Sequence, residues 1–153
     1  MSNLAVATVQ FQRRRYPILN DAGVQRHRHI HIDQLTHDIA VLDTAIYFNK
    51  LGVSFSEMET EKQLHAKDGF SNRKHRPDFV YTKDAKEICV EVELSLKSKD
   101  RFEANIKANF SKYDEQIWIV PDSQSKIARF LEELAPMYTN IKIIELAEVK
   151  GIV

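Results

Sequence analysis

The sequence predicts a mixed α/β domain of the α+β type, in which helices pack on a sheet with both parallel and antiparallel strands. Apolar residues recur at helical spacing over 34–50, and apolar and polar residues alternate over 87–94. Two helix-then-strand units follow this alternating segment. A hairpin followed by such units produces a mixed sheet covered by helices. The length of 153 residues, 43% of them hydrophobic, suits one compact domain.

Residues 1–32 differ from the rest of the chain in charge. They contain five arginines against one aspartate and show little apolar periodicity. We interpret them as a basic N-terminal arm with a short strand near 28–32, and we expect the folded domain to occupy 33–153. The whole chain has no net charge, with 22 basic and 22 acidic residues. The basic segments at 1–32 and 65–86 flank acidic ones, a segregation that can seat a polyanion on one face, although charge alone favours a solvated surface.

The first helix is predicted over 34–50. Asp33 is a suitable N-cap and Gly52 a suitable C-terminal cap. The apolar residues that indicate this helix are Leu35, Ile39, Leu42 and Ile46. The segment therefore begins the domain with an amphipathic helix.

A short strand is predicted at 53–58, followed by a loop over 59–76 that contains Gly69 and a basic run. Pro77 opens a strand at 78–82, and a turn at 83–86 leads into the clearest strand, 87–94. These two strands form the predicted hairpin.

The last third of the chain alternates helices and strands. Ser98 caps a predicted helix over 99–112, whose inward apolar stripe is Phe102, Ile106 and Phe110. Pro121 ends a buried strand at 116–120. Asp122 or Ser123 is the predicted N-cap of a third helix, and a strand follows at 141–146. The expected architecture is thus an αβββαβ core extended by a further helix and strand.

Three carboxylates converge in this arrangement. Glu91 and Glu93 lie two residues apart, so both leave the same face of their strand. Asp78 begins the preceding strand, and antiparallel pairing brings it near Glu91. Carboxylates beneath helices are costly to desolvate unless a partner compensates them, and Mg²⁺ or Mn²⁺ prefers such oxygen ligands. We therefore expect Asp78, Glu91 and Glu93 to bind Mg²⁺ or Mn²⁺ for phosphoryl transfer.

Pro77-Asp78 followed after thirteen residues by Glu91-Val92-Glu93 resembles the PD-(D/E)XK nuclease motif. This resemblance implies a restriction-endonuclease-like fold. The sequence departs from the family pattern because Glu93 stands where the motif has lysine. Lys97, four residues later, is a candidate to supply that cation and to stabilise charge on the phosphate as a catalytic residue.

Arg76-Pro77-Asp78, the segment from Glu91 to Ser98, and Thr36-His37-Asp38 resemble the replication-relaxation family. That family is similar to the catalytic domains of MobC-type mobilisation relaxases. The resemblance spans about residues 33–121 and implies a metal-dependent endonuclease that nicks plasmid or mobile-element DNA. Carried over by position, the metal ligands would be Asp78, Glu91 and Glu93.

Members of that family carry a winged-helix DNA-binding region upstream, and no such region is evident in residues 1–32. The chain is therefore expected to be a catalytic fragment or a reduced relative. A separate DNA-binding domain or accessory protein would then supply specificity. The residues expected to line the site or contact DNA are His37, Arg73, Lys74, Arg76 and Arg101.

Two alternatives remain open from the sequence. The domain could be a catalytically degenerate nuclease fold that binds DNA or partner proteins, because the motif lysine is missing. It could also be an oligomerising scaffold whose acids face water. No apolar run is long enough to span a membrane, and the single cysteine excludes an internal disulfide, so we expect a cytoplasmic protein.

Overall fold

The structure, a computed structural model, describes residues 6–11, 14–19, 32–69, 74–96 and 98–152. Contacts divide the chain into two compact units, Met1–Thr36 and His37–Val153. In the first unit, β1 (Val6–Phe11) pairs antiparallel with β2 (Arg14–Leu19). This hairpin was not predicted, because the segment shows no clear alternation. The strand expected near 28–32 lies outside the described residues except for Ile32, which begins a helix.

From the first helix onward the chain builds one sheet with helices on both faces. The helices are α1 (Ile32–Lys50), α2 (Glu61–Asp68), α3 (Lys99–Lys112), α4 (Lys126–Leu134) and α5 (Leu146–Ile152). The strands are β3 (Glu59–Thr60), β4 (Phe79–Lys83), β5 (Lys86–Val92), β6 (Glu115–Val120) and β7 (Ile141–Glu145). The spatial order is β3-β4-β5-β6-β7, antiparallel from β3 to β5 and parallel from β5 to β7. The predicted mixed α/β fold is confirmed.

Strand β5 is central, and its alternation sorts side chains between two cores. Ile88, Val90 and Val92 join the core beneath α1 and α5. Cys89 and Glu91 lie on the other face, where α3 and α4 pack. The alternation predicted for this strand is confirmed, and it places a carboxylate inside a helix-covered face.

Helix α1 buries a different face from the one its apolar spacing suggested. The buried residues are Ala40, Thr44, Tyr47 and Phe48, and they meet the sheet. Leu42 is 57% exposed, while Leu35, Ile39 and Ile46 are only half-buried. The helix carries two apolar faces, and packing against the sheet places the aromatic one in the core.

The segment between α1 and β4 departs from the prediction. A 3-10 turn at Phe55–Glu57, capped by Ser54, occupies the middle of the segment predicted as a strand at 53–58. Helix α2 forms where a loop was predicted, because Thr60 and Gln63 make a reciprocal capping box that starts it. Local side-chain hydrogen bonds, rather than apolar periodicity, determine the structure here.

Three further differences concern the C-terminal half. Helix α4 is capped by Ser125 rather than by Asp122 or Ser123. Phe110, predicted to face inward, is 41% exposed, and Asn109 takes the buried position. Helix α5 was not predicted. Among the described residues, no helix is long and apolar enough to cross a membrane.

Candidate active site

The ladder of backbone hydrogen bonds between β4 and β5 ends at Pro77, and the candidate site lies at this end of the two strands. Phe79 pairs with Val90, so two residues further along Pro77 comes opposite Val92. Proline has no N–H, so β4 cannot donate the next ladder hydrogen bond. Instead, the Asp78 side chain reaches across, and its Oδ2 accepts the Val92 N–H at 2.7 Å. Asp78 is thereby fixed beside the end of β5.

His37 completes this junction from the inner face of α1. Its Nε2 lies 3.0 Å from the Val92 carbonyl oxygen, to which it donates, and 3.5 Å from Asp78 Oδ1. The hydrogen bond to Asp78 is the main cause that raises the pKa of His37 to about 9. The imidazole is therefore positively charged at neutral pH. His37, predicted to line the site, is brought directly to Asp78.

Glu91 is buried on the opposite face, under α3. Its Oε1 lies 2.5 Å from His75 Nε2 and accepts a hydrogen bond from Asn109 Nδ2 at 2.8 Å. Burial raises the pKa of Glu91, and the nearby charge of Asp78 raises it further, whereas His75 and Asn109 oppose the shift. A carboxylate desolvated beside a second acid is a group that a cation would stabilise.

Glu93 lies just beyond β5 and is half-buried. Its N–H donates to the Ile119 carbonyl at 3.0 Å, which continues the pairing with β6. Its backbone is therefore held at the same end of the sheet as Asp78 and Glu91. Its role as a third metal ligand stays a prediction.

The donor chemistry at this end of the sheet fits a hard cation, but the acids do not form a ready-made cage. Mg²⁺ commonly uses only one or two carboxylates together with retained waters. Among the described residues, no group of three or more histidine, cysteine, aspartate or glutamate side chains is arranged to hold a metal ion. Asp78 and Glu91 each contact a histidine instead. A cation at these acids would compete with the histidines for carboxylate oxygens.

The predicted basic residues fall in different environments. Arg76 is buried, and its Nε donates to Asp68 Oδ2 at 3.2 Å, so its guanidinium joins the segment before β4 to the end of α2. Lys74 and Arg101 are exposed. Arg73 and Lys97 lie outside the described residues.

Two residues of the site escaped the sequence prediction. Asn109 occupies a buried position on the α3 stripe of Phe102 and Ile106, and a polar residue at such a position was a detectable signal. His75 lies in the basic run of the loop predicted over 59–76, and nothing local to it predicts its contact with Glu91. Cys89 neighbours Glu91 in sequence, but burial raises the pKa of its thiol, which disfavours the nucleophilic thiolate.

Comparison of the chain with protein-family models, with curated proteins and with solved structures found no match. The function is therefore argued from the site itself.

Proposed function

We propose that this domain is a metal-dependent endonuclease that hydrolyses phosphodiesters in DNA of plasmids or mobile elements. The observation that carries the proposal is the position of Asp78 and Glu91 at one end of the β4–β5 hairpin. The Asp78 carboxylate is hydrogen-bonded to the residue that follows Glu91, and its charge raises the Glu91 pKa. This is the arrangement that the sequence motif implies for a nuclease of this class.

Asp78 and Glu91 would hold Mg²⁺ or Mn²⁺, with Glu93 as a further oxygen ligand. When bound, such a cation polarises the scissile phosphate and lowers the pKa of a coordinated water. The protein's own groups orient the ligands. Asn109 and His75 hold one oxygen of Glu91, while Val92 and His37 hold Asp78.

The charge on His37 suits a second task. A protonated imidazole beside Asp78, with its side chain 33% exposed, would offset the negative charge of a phosphate bound at the acids. The exposed bases Lys74 and Arg101 would add contacts with the DNA backbone, which give affinity without sequence preference. Sequence choice would come from a separate domain or protein.

A supercoiled-plasmid assay tests this function. Wild-type protein with Mg²⁺ or Mn²⁺ should convert supercoiled plasmid to open circles, and EDTA should stop the conversion. Glu91→Gln removes the charge but preserves the shape, so it should abolish nicking. Glu132→Gln, at an exposed acid on α4, is the matched control and should nick normally. Nicking by Glu91→Gln at the wild-type rate would refute the proposal.

One observation favours a second candidate, a degenerate nuclease fold that only binds DNA or partner proteins. Both acids already contact histidines, and the described residues contain no ready-made set of three metal ligands. This candidate predicts salt-dependent DNA binding that is unchanged by EDTA and by Glu91→Gln, with no cleavage under either metal.

A further inference from the structure

The hairpin of β1 and β2 is a two-stranded sheet of its own. Its strands pair with each other, whereas β3 to β7 form the other sheet of the described chain. It belongs to the compact unit Met1–Thr36, and the acid site belongs to the unit His37–Val153. A two-stranded ribbon is only marginally stable by itself, so a partner that covers it adds to its stability.

The composition of this hairpin changes along its length. The two register pairs at its open end consist of apolar residues, namely Val6, Ala7, Ile18 and Leu19. At the other end, where the chain turns, Gln10 pairs with Arg15 and Phe11 pairs with Arg14. The register therefore concentrates the basic residues of β2 at the turn end of the ribbon.

No acidic residue in the surrounding sequence balances this charge. Residues 1–20 contain the run Arg13-Arg14-Arg15 and no aspartate or glutamate. A basic run by itself also suits a solvated surface. In this hairpin, however, the register places Arg14 and Arg15 at one end of a narrow ribbon whose other end is apolar. That polarity favours a polyanion at the turn end, because a concentrated positive charge attracts phosphates.

The shape of the ribbon favours double-stranded DNA as this polyanion. Paired strands lie about 4.8 Å apart, and the major groove of B-DNA, about 12 Å wide, admits a two-stranded ribbon. Gln10 and Arg15 are directly opposite each other, so they share one face of the ribbon. Glutamine pairs with adenine and arginine with guanine at the base edges of this groove. The major groove of duplex RNA is too deep and narrow for such contacts.

We propose that the turn end of the β1–β2 hairpin enters the major groove of double-stranded DNA, with Arg14 at the phosphates and Gln10 and Arg15 at the base edges. The choice of DNA rests in part on the proposed function, but the binding requires neither a metal ion nor cleavage. The hairpin would give the protein a preference for sites that contain guanine and adenine. The compact unit Met1–Thr36 would then be the source of sequence choice.

Fluorescence anisotropy of a labelled DNA duplex of mixed sequence, with the full chain in EDTA, measures binding without cleavage. Arg14→Gln/Arg15→Gln should bind at least about 10-fold more weakly, and its dependence of log affinity on log salt should be shallower by at least about 1. The matched control is Arg129→Gln/Lys150→Gln, which removes two exposed charges from α4 and α5. This control should bind as the wild type does.

Selection from a random pool of duplexes tests the base contacts. The wild type should enrich sites that contain guanine and adenine. Arg15→Lys keeps the charge but loses the two-pronged donor that matches guanine. It should therefore keep the salt dependence of the wild type and lose the preference for guanine. The same preference in wild type and Arg15→Lys would refute the base contact.

Three results would overturn the DNA-binding role: a wild type that does not bind duplex DNA, an Arg14→Gln/Arg15→Gln variant with wild-type affinity, or a control that is equally weakened. Tighter binding to single-stranded DNA, duplex RNA or anionic lipid vesicles would also contradict it. Arg14→Lys/Arg15→Lys keeps both charges and should retain the salt dependence. A lost salt dependence in that variant would assign the effect to folding of the hairpin and refute the role.

The outcome is separable from that of the proposed function. Glu91→Gln should bind the duplex as the wild type does, because the acid site is not needed for binding. Hairpin-dependent binding without any cleavage would refute the nuclease and support the role of the hairpin. Cleavage that Arg14→Gln/Arg15→Gln leaves unchanged, with unchanged DNA affinity, would do the reverse.

Discussion

His37, on helix α1, donates a hydrogen bond to the Val92 carbonyl. On the neighbouring strand the residue opposite Val92 is Pro77, which has no N–H to donate to that carbonyl. A tertiary contact thus replaces a missing ladder hydrogen bond. The same nitrogen faces Asp78, whose carboxylate accepts the Val92 N–H. The position of the proposed catalytic aspartate therefore depends on α1 as much as on β4.

This junction predicts a pH-dependent contribution to stability. The pKa of His37 rises from 6.5 to about 9 on folding, mainly through Asp78, so the folded protein binds its proton more tightly. The contribution is full below pH 6.5 and is lost as the pH rises to about 9. Because the His37 side chain is 33% exposed and solvent screens its charge, we expect this contribution to the free energy of unfolding to be about 1–2 kcal/mol.

Urea unfolding in EDTA at several pH values measures this contribution as the difference between wild type and His37→Gln. The difference should shrink steadily between pH 6.5 and 9. A difference between wild type and His37→Gln that stays constant with pH would contradict the assignment.

Asn109 should be a positioning residue whose loss destabilises the fold and misplaces Glu91. Asn109→Ala removes a donor from a buried carboxylate, which should lower the free energy of unfolding by about 1–3 kcal/mol. Asn109→Asp should cost more at neutral pH than at acid pH, because it adds a second buried negative charge. Asn105→Ala, on the same helix but only half-buried, should have a smaller effect in the same denaturation experiment.

The turn between β4 and β5 predicts a stabilising substitution. Asp84 and Ala85 both have positive φ angles, 51° and 62°, and Ala85 pays a steric cost there that glycine avoids. Ala85→Gly should raise the free energy of unfolding by about 1 kcal/mol. Ala108→Gly, within α3, should lower it by about the same amount. A destabilised Ala85→Gly variant in thermal or chemical denaturation would disprove this account.

Cation binding at the acids should appear in thermal unfolding independently of cleavage. A ligand that binds only the folded state stabilises it by about 2.7 kcal/mol at about 100 times its dissociation constant. Mg²⁺ or Mn²⁺ should therefore raise the melting temperature of the wild type and of Glu132→Gln. Asp78→Asn should abolish the rise, and a rise equal to that of the wild type would place the cation elsewhere.

Much of the fold was predictable where a local pattern has one stable outcome. The alternation of β5 and the Ser98 cap of α3 both match the structure, because each depends on neighbours within a few residues. The α1 stripe was misleading for the opposite reason. Two faces of that helix are apolar, and only packing against the sheet selected Tyr47 and Phe48 for the core.

The sequence by itself determined the mixed α/β architecture, the hairpin that brings Asp78 towards Glu91, and the face of β5 that carries Glu91. These follow from backbone periodicity and a short turn. Only the tertiary structure decided that His37, His75 and Asn109 hold the acids. Their contacts join residues distant in sequence or on different elements, and no local pattern encodes which helix face or segment will cover a given carboxylate.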